Sequence, residues 1–223
     1  MLQAHTSPSG LFIAIEGIDG SGKSTAFKML GEHLSNAGIH PLLLTHEPTT
    51  GAIGKEIYDR LLGRREMLSP LELQRLYVRD RYAHVQDLIA PVLARGGVVL
   101  ADRYWLSTLA HGMLDMNIEE LYSLHAEIFA EPLLIPHLTF LLDLPEDVAF
   151  QRLQSHGKQL DHFEKQSKLT SLRKNYLFVA ADVPKRGYGA IEIIDTSVPF
   201  DRMHECAEKM WHAISIYLPT FHT

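Results

Sequence analysis

Apolar and polar positions alternate along this chain in blocks of two kinds. Short, almost wholly apolar runs predict strands that are buried on both faces: residues 11–15, 41–45, 97–101, 138–144 and 190–195. Longer amphipathic stretches predict helices over about 24–36, 52–62, 70–94, 118–129, 146–155, 165–181 and 201–217. This alternation predicts an α/β fold with a doubly wound parallel sheet and helices on both of its faces.

The chain contains no repeat, low-complexity tract or linker that would divide it. We therefore expect one domain over residues 10–223, preceded by a short flexible tail at residues 1–9. The sequence Ser69-Pro70-Leu71-Glu72 forms a capping box with proline at the first helical position, which fixes one helix start.

Composition and charge narrow the classes of function. The formal net charge of −6 argues against a surface that coats nucleic acid. No apolar run reaches the roughly 20 residues of a membrane span. The single cysteine, Cys206, predicts a reducing, cytoplasmic location. The 13 histidines are scattered without the spacing of metal ligands, so most are interpreted as surface or packing residues.

The segment EGIDGSGKST, residues 16–25, follows the first predicted strand and precedes a predicted helix. Residues 17–24 match GxxxxGK[ST], a loop whose backbone N–H groups converge on phosphate oxygens. The lysine is expected to reach the β- and γ-phosphates, and the serine hydroxyl to ligate Mg²⁺. The full spacing disfavours a glycine-rich turn that binds nothing. The predicted phosphate-binding residues are Gly17, Gly20, Ser21, Gly22, Lys23, Ser24 and Thr25.

Charged residues at two further positions are candidates for the same site. Asp19 lies inside the loop, where it either faces a second substrate or caps the turn. Asp102 and Arg103 follow a buried strand, where they either hold Mg²⁺ and clamp a phosphate or form a structural ion pair. Asp143 also ends a strand, but no arginine follows it, so Asp102 is the preferred metal ligand.

One face of the helix that contains LYVRDRYAHV combines an aromatic ring with a cation. Tyr77, Arg81, His84 and Leu88 have helical spacing and are predicted to share that face. An aromatic plane beside an arginine fork suits a nucleobase, whereas a core tyrosine beside a solvated arginine is the alternative.

These motifs occur in the same order as in the thymidylate kinase family, which the chain resembles from about residue 11 to 200. The resemblance rests on EGIDGSGKST, HEPTTGAIGKEI, LYVRDRYAHV, LADRYWLSTLAHG, LTFLLDLPEDVAFQRL, LDHFE and LRKNYL. It implies a P-loop kinase fold with a five-stranded parallel sheet, and a short lid over about residues 154–166. It also implies transfer of the ATP γ-phosphate to dTMP with Mg²⁺, in dTTP biosynthesis, by a homodimer that uses neither nucleic acid nor membrane as a partner.

The same resemblance implies roles for individual residues. Asp19 stands where the family contacts the deoxyribose 3′-hydroxyl, and Tyr77 where an aromatic ring stacks on thymine. Arg81 stands where an arginine hydrogen-bonds the base. Asp102 and Arg103 match the pair near Mg²⁺ and the transferred phosphate, with Ser24 as the other metal ligand. Ser107 lies on the loop that faces the base.

The sequence departs from the family pattern at several of these positions. His46 replaces the arginine before Glu-Pro that grips the monophosphate, and an imidazole lacks the planar fork of a guanidinium. Gly20 occupies the position of a catalytic loop arginine. The lid segment has no arginine either, which makes Lys158 the expected catalytic substitute beside Lys23, Asp102 and Arg103. His111 and Gly112 replace an aromatic residue near the sugar and its neighbouring glutamine.

These departures leave other functions open. One is a P-loop kinase for another or a modified pyrimidine deoxynucleotide, or for a deoxynucleoside. The other is a kinase-like protein that binds nucleotide without turnover. The main expectation remains a dTMP kinase.

Overall fold

The computed structural model describes residues 2–7, 9–155 and 162–218, without the side chains of residues 162–165. Its strands are β1 (Ala4–His5), β2 (Leu11–Gly17), β3 (Leu42–His46), β4 (Val98–Asp102), β5 (Leu133–Leu134), β6 (Leu138–Asp143) and β7 (Ala190–Asp195). Its helices are α1 (Lys23–Asn36), α2 (Ala52–Leu61), α3 (Pro70–His84), α4 (Ala90–Leu93), α5 (Trp105–Gly112), α6 (Ile118–Ile128), α7 (Glu146–Ser155), α8 (His162–Lys185) and α9 (Met203–Ser215).

The main sheet has five parallel strands in the order β3-β4-β2-β6-β7. All five correspond to the predicted apolar runs, which confirms the doubly wound α/β fold. Register places Ile15 of β2 and His46 of β3 on either side of Asp102 in β4. The carboxyl ends of these three strands therefore meet at one edge of the sheet, which is where α/β proteins bind ligands.

Apolar side chains fill both faces of this sheet. On one face, Phe12 and Val99 belong to a cluster of buried apolar residues that also includes residues of α5 and α8. On the other face, Ile13 and Leu100 belong to a second cluster with residues of α1 and α9. Successive strand residues point to opposite faces. The continuous apolar runs are therefore needed to cover a sheet with helices on both sides.

Two parts of the fold were missing from the sequence-based interpretation. Helix α5 went unrecognised because most of its residues are buried, so it lacks the polar face that marks an amphipathic helix. The second part is a two-stranded parallel sheet, in which β1 pairs with β5. Leu2 is buried and its carbonyl oxygen accepts a hydrogen bond from Tyr188. The expectation of a flexible tail over residues 1–9 is therefore wrong for residues 2–7.

The long helix predicted over residues 70–94 consists of three segments. The capping box of Ser69 and Glu72 opens α3 as predicted. A π-helical turn, Val85–Ile89, then connects α3 to α4. Because this turn is wider than an α-helical turn, the side chains after it point in different directions from those of a continuous α-helix. Leu88 is 47% exposed and does not share a face with Tyr77, Arg81 and His84 as predicted.

The predicted lid over residues 154–166 overlaps the end of α7 and the beginning of α8. Helix α7 ends at Ser155 and α8 begins at His162, three residues earlier than predicted. Residues 156–161, including Lys158, lie outside the described residues. Within residues 2–7, 9–155 and 162–218, no helix has the length and apolar character needed to cross a membrane.

Gly54 offers a test of how tightly α2 packs on the loop that precedes it. A Cβ atom at this position would lie 2.0 Å from the carbonyl oxygen of Thr49. We expect Gly54→Ala to lower the free energy of unfolding by about 1–3 kcal/mol, because the backbone must shift to relieve the contact. Urea unfolding measures this change.

Gly31 in α1 provides the matched control. A Cβ atom there meets only the flexible end of Leu44, at 2.8 Å. Gly31→Ala should therefore be close to neutral, since the helix propensity of alanine offsets a small adjustment. Equal stability of the Gly54→Ala and Gly31→Ala variants would contradict this account of the packing.

Candidate active site

The loop between β2 and α1 has the backbone conformation that phosphate binding requires. Gly20 has φ 84°, and a Cβ atom there would lie 2.6 Å from the carbonyl oxygen of Ala149. Gly22 has φ 90° and precedes the first residue of α1. Larger residues would be strained in both conformations. The loop therefore directs the N-terminus of α1, with its positive dipole end, toward the adjoining cavity.

Lys23 is buried at the start of α1. Its Nζ donates hydrogen bonds to the carbonyl oxygens of Gly17 at 3.0 Å and Ile18 at 2.8 Å, and lies 3.9 Å from Asp19 Oδ1. Burial first, and the nearby charge of Arg103 second, lower the pKa of Lys23 to about 8, against the opposing effect of the neighbouring carboxylates. The ammonium group of Lys23 is thus held by backbone carbonyl groups of the loop itself.

A cavity of about 490 Å³ opens beside this loop, and we call it the phosphate-loop cavity. Of the predicted phosphate-binding residues, Ser21 is buried beneath the loop and Gly17 lies at its start, and neither lines the cavity. The lining residues are Asp19, Gly20, Gly22, Lys23, Ser24, Thr25, His46, Glu47, Tyr58, Asp102, Arg103, Arg152, Leu153 and Phe200.

Asp102 and Ser24 both line this cavity, as expected of residues that share a metal ion. Asp102 Oδ1 is buried and has no hydrogen-bond partner among the described residues. An orphaned carboxylate oxygen facing a phosphate site fits a hard divalent cation. By contrast, Asp143 accepts two hydrogen bonds from Arg173, at 2.8 and 3.0 Å, so it is already paired. The unpaired oxygen therefore favours Asp102 over Asp143 as the metal ligand, a role that stays a prediction.

Arg103 occupies the turn after β4 in a strained conformation, with φ 68°. Its backbone N–H donates to Ile15, and its Nη2 donates to Asp19 Oδ1 at 2.6 Å. The Nη1 group donates to Tyr176 at 3.1 Å and to Ser107 at 3.2 Å. The guanidinium is thus held beside the phosphate loop, and Asp19, 61% exposed, faces it across the cavity edge.

Glu16, which sequence reasoning did not single out, holds this turn in place. Its buried carboxylate accepts the backbone N–H groups of Tyr104 at 2.8 Å and Ser107 at 3.1 Å, and the Ser107 hydroxyl at 2.6 Å. Burial raises the pKa of Glu16, while these hydrogen bonds and Arg103 oppose the rise. The only sequence signal was its place directly before the loop motif, at the end of an apolar strand.

A second cavity, of about 310 Å³, adjoins the first, and we call it the side cavity. Asp19, Glu47, Tyr58 and Arg103 line both cavities, so the two spaces meet at these residues. The other residues that line it are Pro48, Leu61, Gln74, Tyr77, Arg81, Tyr104, Ser107, Thr108 and His111. Tyr77, Arg81, Ser107 and His111 were all predicted to bind one ligand, and the structure brings them together.

The ionisable rings of the side cavity are uncharged. Burial raises the pKa of the Tyr77 phenol to about 12. Burial, followed by the charge of Arg103, lowers the pKa of His111 to about 3. The His111 ring also packs edge-on against Tyr176. This cavity therefore offers neutral aromatic surface at its sides.

Arg81 is fully buried, and protein groups occupy most of its hydrogen-bonding capacity. Its Nε and Nη2 donate to Glu47 Oε2 at 2.9 and 2.6 Å. Its Nη1 lies 3.0 Å from both Thr108 Oγ1 and His125 Nε2. Burial and Arg81 lower the pKa of His125 to about 3, which suits an accepting Nε2. The alternative of a solvated arginine is therefore wrong.

His46 ends β3 and lines the phosphate-loop cavity. Its Nδ1 lies 2.8 Å from the carbonyl oxygen of Pro48, and because a carbonyl only accepts, Nδ1 carries the proton. The Nε2 atom then carries a lone pair in the neutral ring and becomes a donor when the ring is protonated.

Arg152 of α7 is a further cation at the phosphate-loop cavity that sequence reasoning missed. It donates to the carbonyl oxygens of Gly20 at 3.3 Å, Thr196 at 2.7 Å and Val198 at 2.6 Å. It lies within the quoted segment LTFLLDLPEDVAFQRL, but outside the lid segment in which an arginine was sought. Helix α7 places it against the loop.

Comparison with known proteins agrees with this geometry. The family model for thymidylate kinase matches residues 15–206. The chain is 38% identical over 195 residues to a thymidylate kinase of Xanthomonas euvesicatoria, covering 87% of this chain and 80% of that protein. It is 36% identical over 180 residues to a thymidylate kinase of Xylella fastidiosa, covering 80% of this chain and 78% of that protein.

The fold is similar to a solved structure of the same family. The crystal structure of thymidylate kinase from Ehrlichia chaffeensis matches with a TM-score of 0.69 and 22% identity, covering 93% of this chain and all of that one. The family model spans most of the sequence, and both relatives are at least 36% identical to it over at least 80% of its length. The chain therefore belongs to the thymidylate kinase family.

Proposed function

We propose that this protein transfers the γ-phosphoryl group of Mg·ATP to dTMP, giving ADP and dTDP. Its family membership makes it an ATP:dTMP phosphotransferase. The observation that carries the assignment is the meeting of two cavities at Arg103 and Asp19, one beside a phosphate loop and one between aromatic side chains. A phosphoryl group moves between two nucleotides only where their phosphate ends are adjacent.

The phosphate-loop cavity binds the triphosphate in this proposal. Backbone N–H groups of residues 20–25 and the ammonium of Lys23 face the phosphate oxygens. Ser24 and Asp102 would hold Mg²⁺, whose charge neutralises the β- and γ-phosphate oxygens during transfer. The orphaned Oδ1 atom of Asp102 supports this assignment.

Arg103 would align the acceptor phosphate at the junction of the two cavities. Its present partner, Asp19, is the family's contact to the sugar hydroxyl. On binding, the acceptor would therefore share or exchange the Arg103–Asp19 ion pair. Because Gly17 and Ser107 also accept from Nη1, the guanidinium keeps its position while Nη2 changes partner. No covalent relay is required, since catalysis is positioning and charge neutralisation.

The side cavity would bind the thymidine part of the acceptor. Tyr77 stacks on the base, His111 lies near the sugar, and Ser107 faces the ligand from α5. The neutral His111 ring and Tyr77 phenol add no charge that would repel a monophosphate. The family comparisons do not favour a deoxynucleoside kinase or a binder without turnover.

We also propose a lid and a cytoplasmic location, neither of which follows from the geometry of the two cavities. A lid over residues 154–166 would bring Lys158 to the ATP phosphates, as the substitute for a lid arginine. A cytoplasmic location is proposed because the single cysteine, Cys206, is buried and free, as suits a reducing compartment.

The assignment is tested by ADP release from Mg·ATP with a panel of nucleoside monophosphates and thymidine. We expect dTMP to be preferred, and Lys23→Ala to lower kcat by at least about 10²-fold, because charge on the transferred phosphate loses its nearest ammonium. Lys28→Ala, an exposed lysine on the same helix, is the control and should retain full activity. Preference for another acceptor, or full turnover by Lys23→Ala, would contradict the assignment.

His46 is predicted to contact the acceptor phosphate through Nε2, because it lines the phosphate-loop cavity and its Nδ1 is already bound to the Pro48 carbonyl oxygen. His46→Ala should raise the apparent KM for dTMP by about 5-fold, as for the loss of one hydrogen bond. Steady-state kinetics at saturating Mg·ATP measure this change, and Lys28→Ala is again the control. An unchanged KM in His46→Ala would exclude His46 from the acceptor site.

We also propose a homodimer, formed through the helical segment over residues 70–94. Leu71 and Leu88 in this segment are 45% and 47% exposed. Light scattering should give twice the mass of one chain, and Leu88→Glu should lower it by placing charge in an apolar interface. Ile216→Glu, at an exposed position after α9, is the control. A monomeric wild-type protein would refute the proposal.

A further inference from the structure

Gln74 is a buried polar residue that neither the motifs nor the family resemblance assigns. It lies on α3, three residues before Tyr77 and seven before Arg81, so the three side chains share one face of the helix. It is 6% exposed and lines the side cavity. Its Oε1 atom has no hydrogen-bond partner among the described residues.

An unpartnered amide oxygen at this depth requires an explanation. Most buried side-chain polar atoms are hydrogen-bonded, because a buried acceptor without a donor loses its interaction with water. An apolar residue of similar length would fill the same volume without this cost. The amide is therefore suited to a ligand that brings the missing hydrogen-bonding groups into the side cavity.

The polar groups next to Gln74 already hydrogen-bond one another. Arg81 uses four of its five N–H groups on Glu47, Thr108 and His125. The Thr108 hydroxyl already accepts one of these hydrogen bonds. Glu47 is bound on one oxygen by Arg81 and on the other by His84. By contrast, the Gln74 amide oxygen accepts no hydrogen bond from the described residues.

We propose that the Gln74 side-chain amide hydrogen-bonds the polar edge of the pyrimidine and contributes to its recognition. Thymine presents a carbonyl acceptor, O4, beside a donor, N3–H. An amide carries both complementary groups, and rotation about its last side-chain bond exchanges them. Tyr77, one turn along α3, would hold the ring plane while Gln74 contacts its edge. This inference rests on the proposed function, because it takes the side cavity as the site of dTMP.

The test compares two acceptors and three proteins. One acceptor is dTMP. The other is the deoxyribonucleoside monophosphate of 5-methyl-2-pyrimidinone, which lacks O4 and N3–H but keeps the ring, methyl group, sugar and phosphate. The proteins are the wild type, Gln74→Met and Gln3→Met. Gln3 is exposed beside β1 and lines neither cavity, so Gln3→Met controls for the same chemical change outside the site.

We expect Gln74→Met to lower kcat/KM for dTMP by about 5- to 100-fold, mainly through KM, as for loss of a buried hydrogen bond. For the analogue, the loss should be clearly smaller, because its edge lacks O4 and N3–H and keeps only the N3 lone pair as an acceptor. Gln3→Met should match the wild type with both acceptors. If Gln74→Met fails to fold, Gln74→Leu provides the same comparison, since it also removes the donor and the acceptor without adding a charge.

Two results would overturn the inference. Equal losses with both acceptors would assign Gln74 a structural role only, and no loss with dTMP would remove it from base recognition. A wild-type protein that neither binds nor phosphorylates dTMP would overturn the proposed function and this inference together. Wild-type activity on dTMP with an unaffected Gln74→Met variant would overturn the inference alone.

Discussion

The carboxylate of Glu16 receives the backbone N–H groups of Tyr104 and Ser107 at the beginning of α5, together with the Ser107 hydroxyl. These contacts join the end of β2 to the turn after β4. A buried anion at a helix N-terminus is stabilised by the unpaired N–H groups and by the helix dipole. In return, it fixes the turn that contains Arg103, whose positive φ angle needs such support. Glu16 therefore connects the two phosphate-facing segments directly.

A second buried network performs a similar task for the side cavity. Glu47 follows β3, and its carboxylate is shared between Arg81 and His84 of α3. His84 also contacts the Thr45 hydroxyl, at 2.7 Å. Charged hydrogen bonds of this kind are strong only when every group is paired, and here the pairs join β3 to α3. The loop that follows Glu47 is tied again by Asp80, which accepts both the N–H and the hydroxyl of Thr49. Both walls of the side cavity are thus connected through charged side chains.

The fold was largely predictable because its strands are buried on both faces and its loop motif has fixed spacing. Leu11–Gly17 and Val98–Asp102 combine a β-branched, apolar composition with a following polar residue, and this pattern locates both the sheet and its functional edge. Helix α5 could not be recognised in this way, since a helix of eight residues, most of them buried, is too short for a clear periodic signal. Similarly, the pairing of β1 with β5 depends on residues separated by more than a hundred positions, and pairs this short carry little local pattern.

For the site, the residue types were predictable but their partners were not. The positions of Lys23, Asp102 and Tyr77 could be predicted because a loop motif, a strand end and helical spacing, respectively, specify where their side chains lie. The partners of Arg81, by contrast, come from β3, α5 and α6, and no spacing along the sequence relates them. Glu16 and Gln74 were missed for the same reason. Each is an ordinary polar residue until the fold buries it beside a cavity.

The phosphate-loop cavity is lined by as many carboxylates as cationic side chains, although it is proposed to bind a polyanion. Lys23, Arg103 and Arg152 line it together with Asp19, Glu47 and Asp102. Arg81 compensates Glu47 from the side cavity, and Asp19 is paired with Arg103. Asp102 is left as the carboxylate whose inner oxygen has no partner within the described part of the chain. A triphosphate without a metal ion would therefore meet a carboxylate with an unpaired oxygen, whereas a divalent cation would attract both groups. The arrangement of this chain's own charges thus favours a metal-bound nucleotide over a free one, although the chain as a whole is acidic.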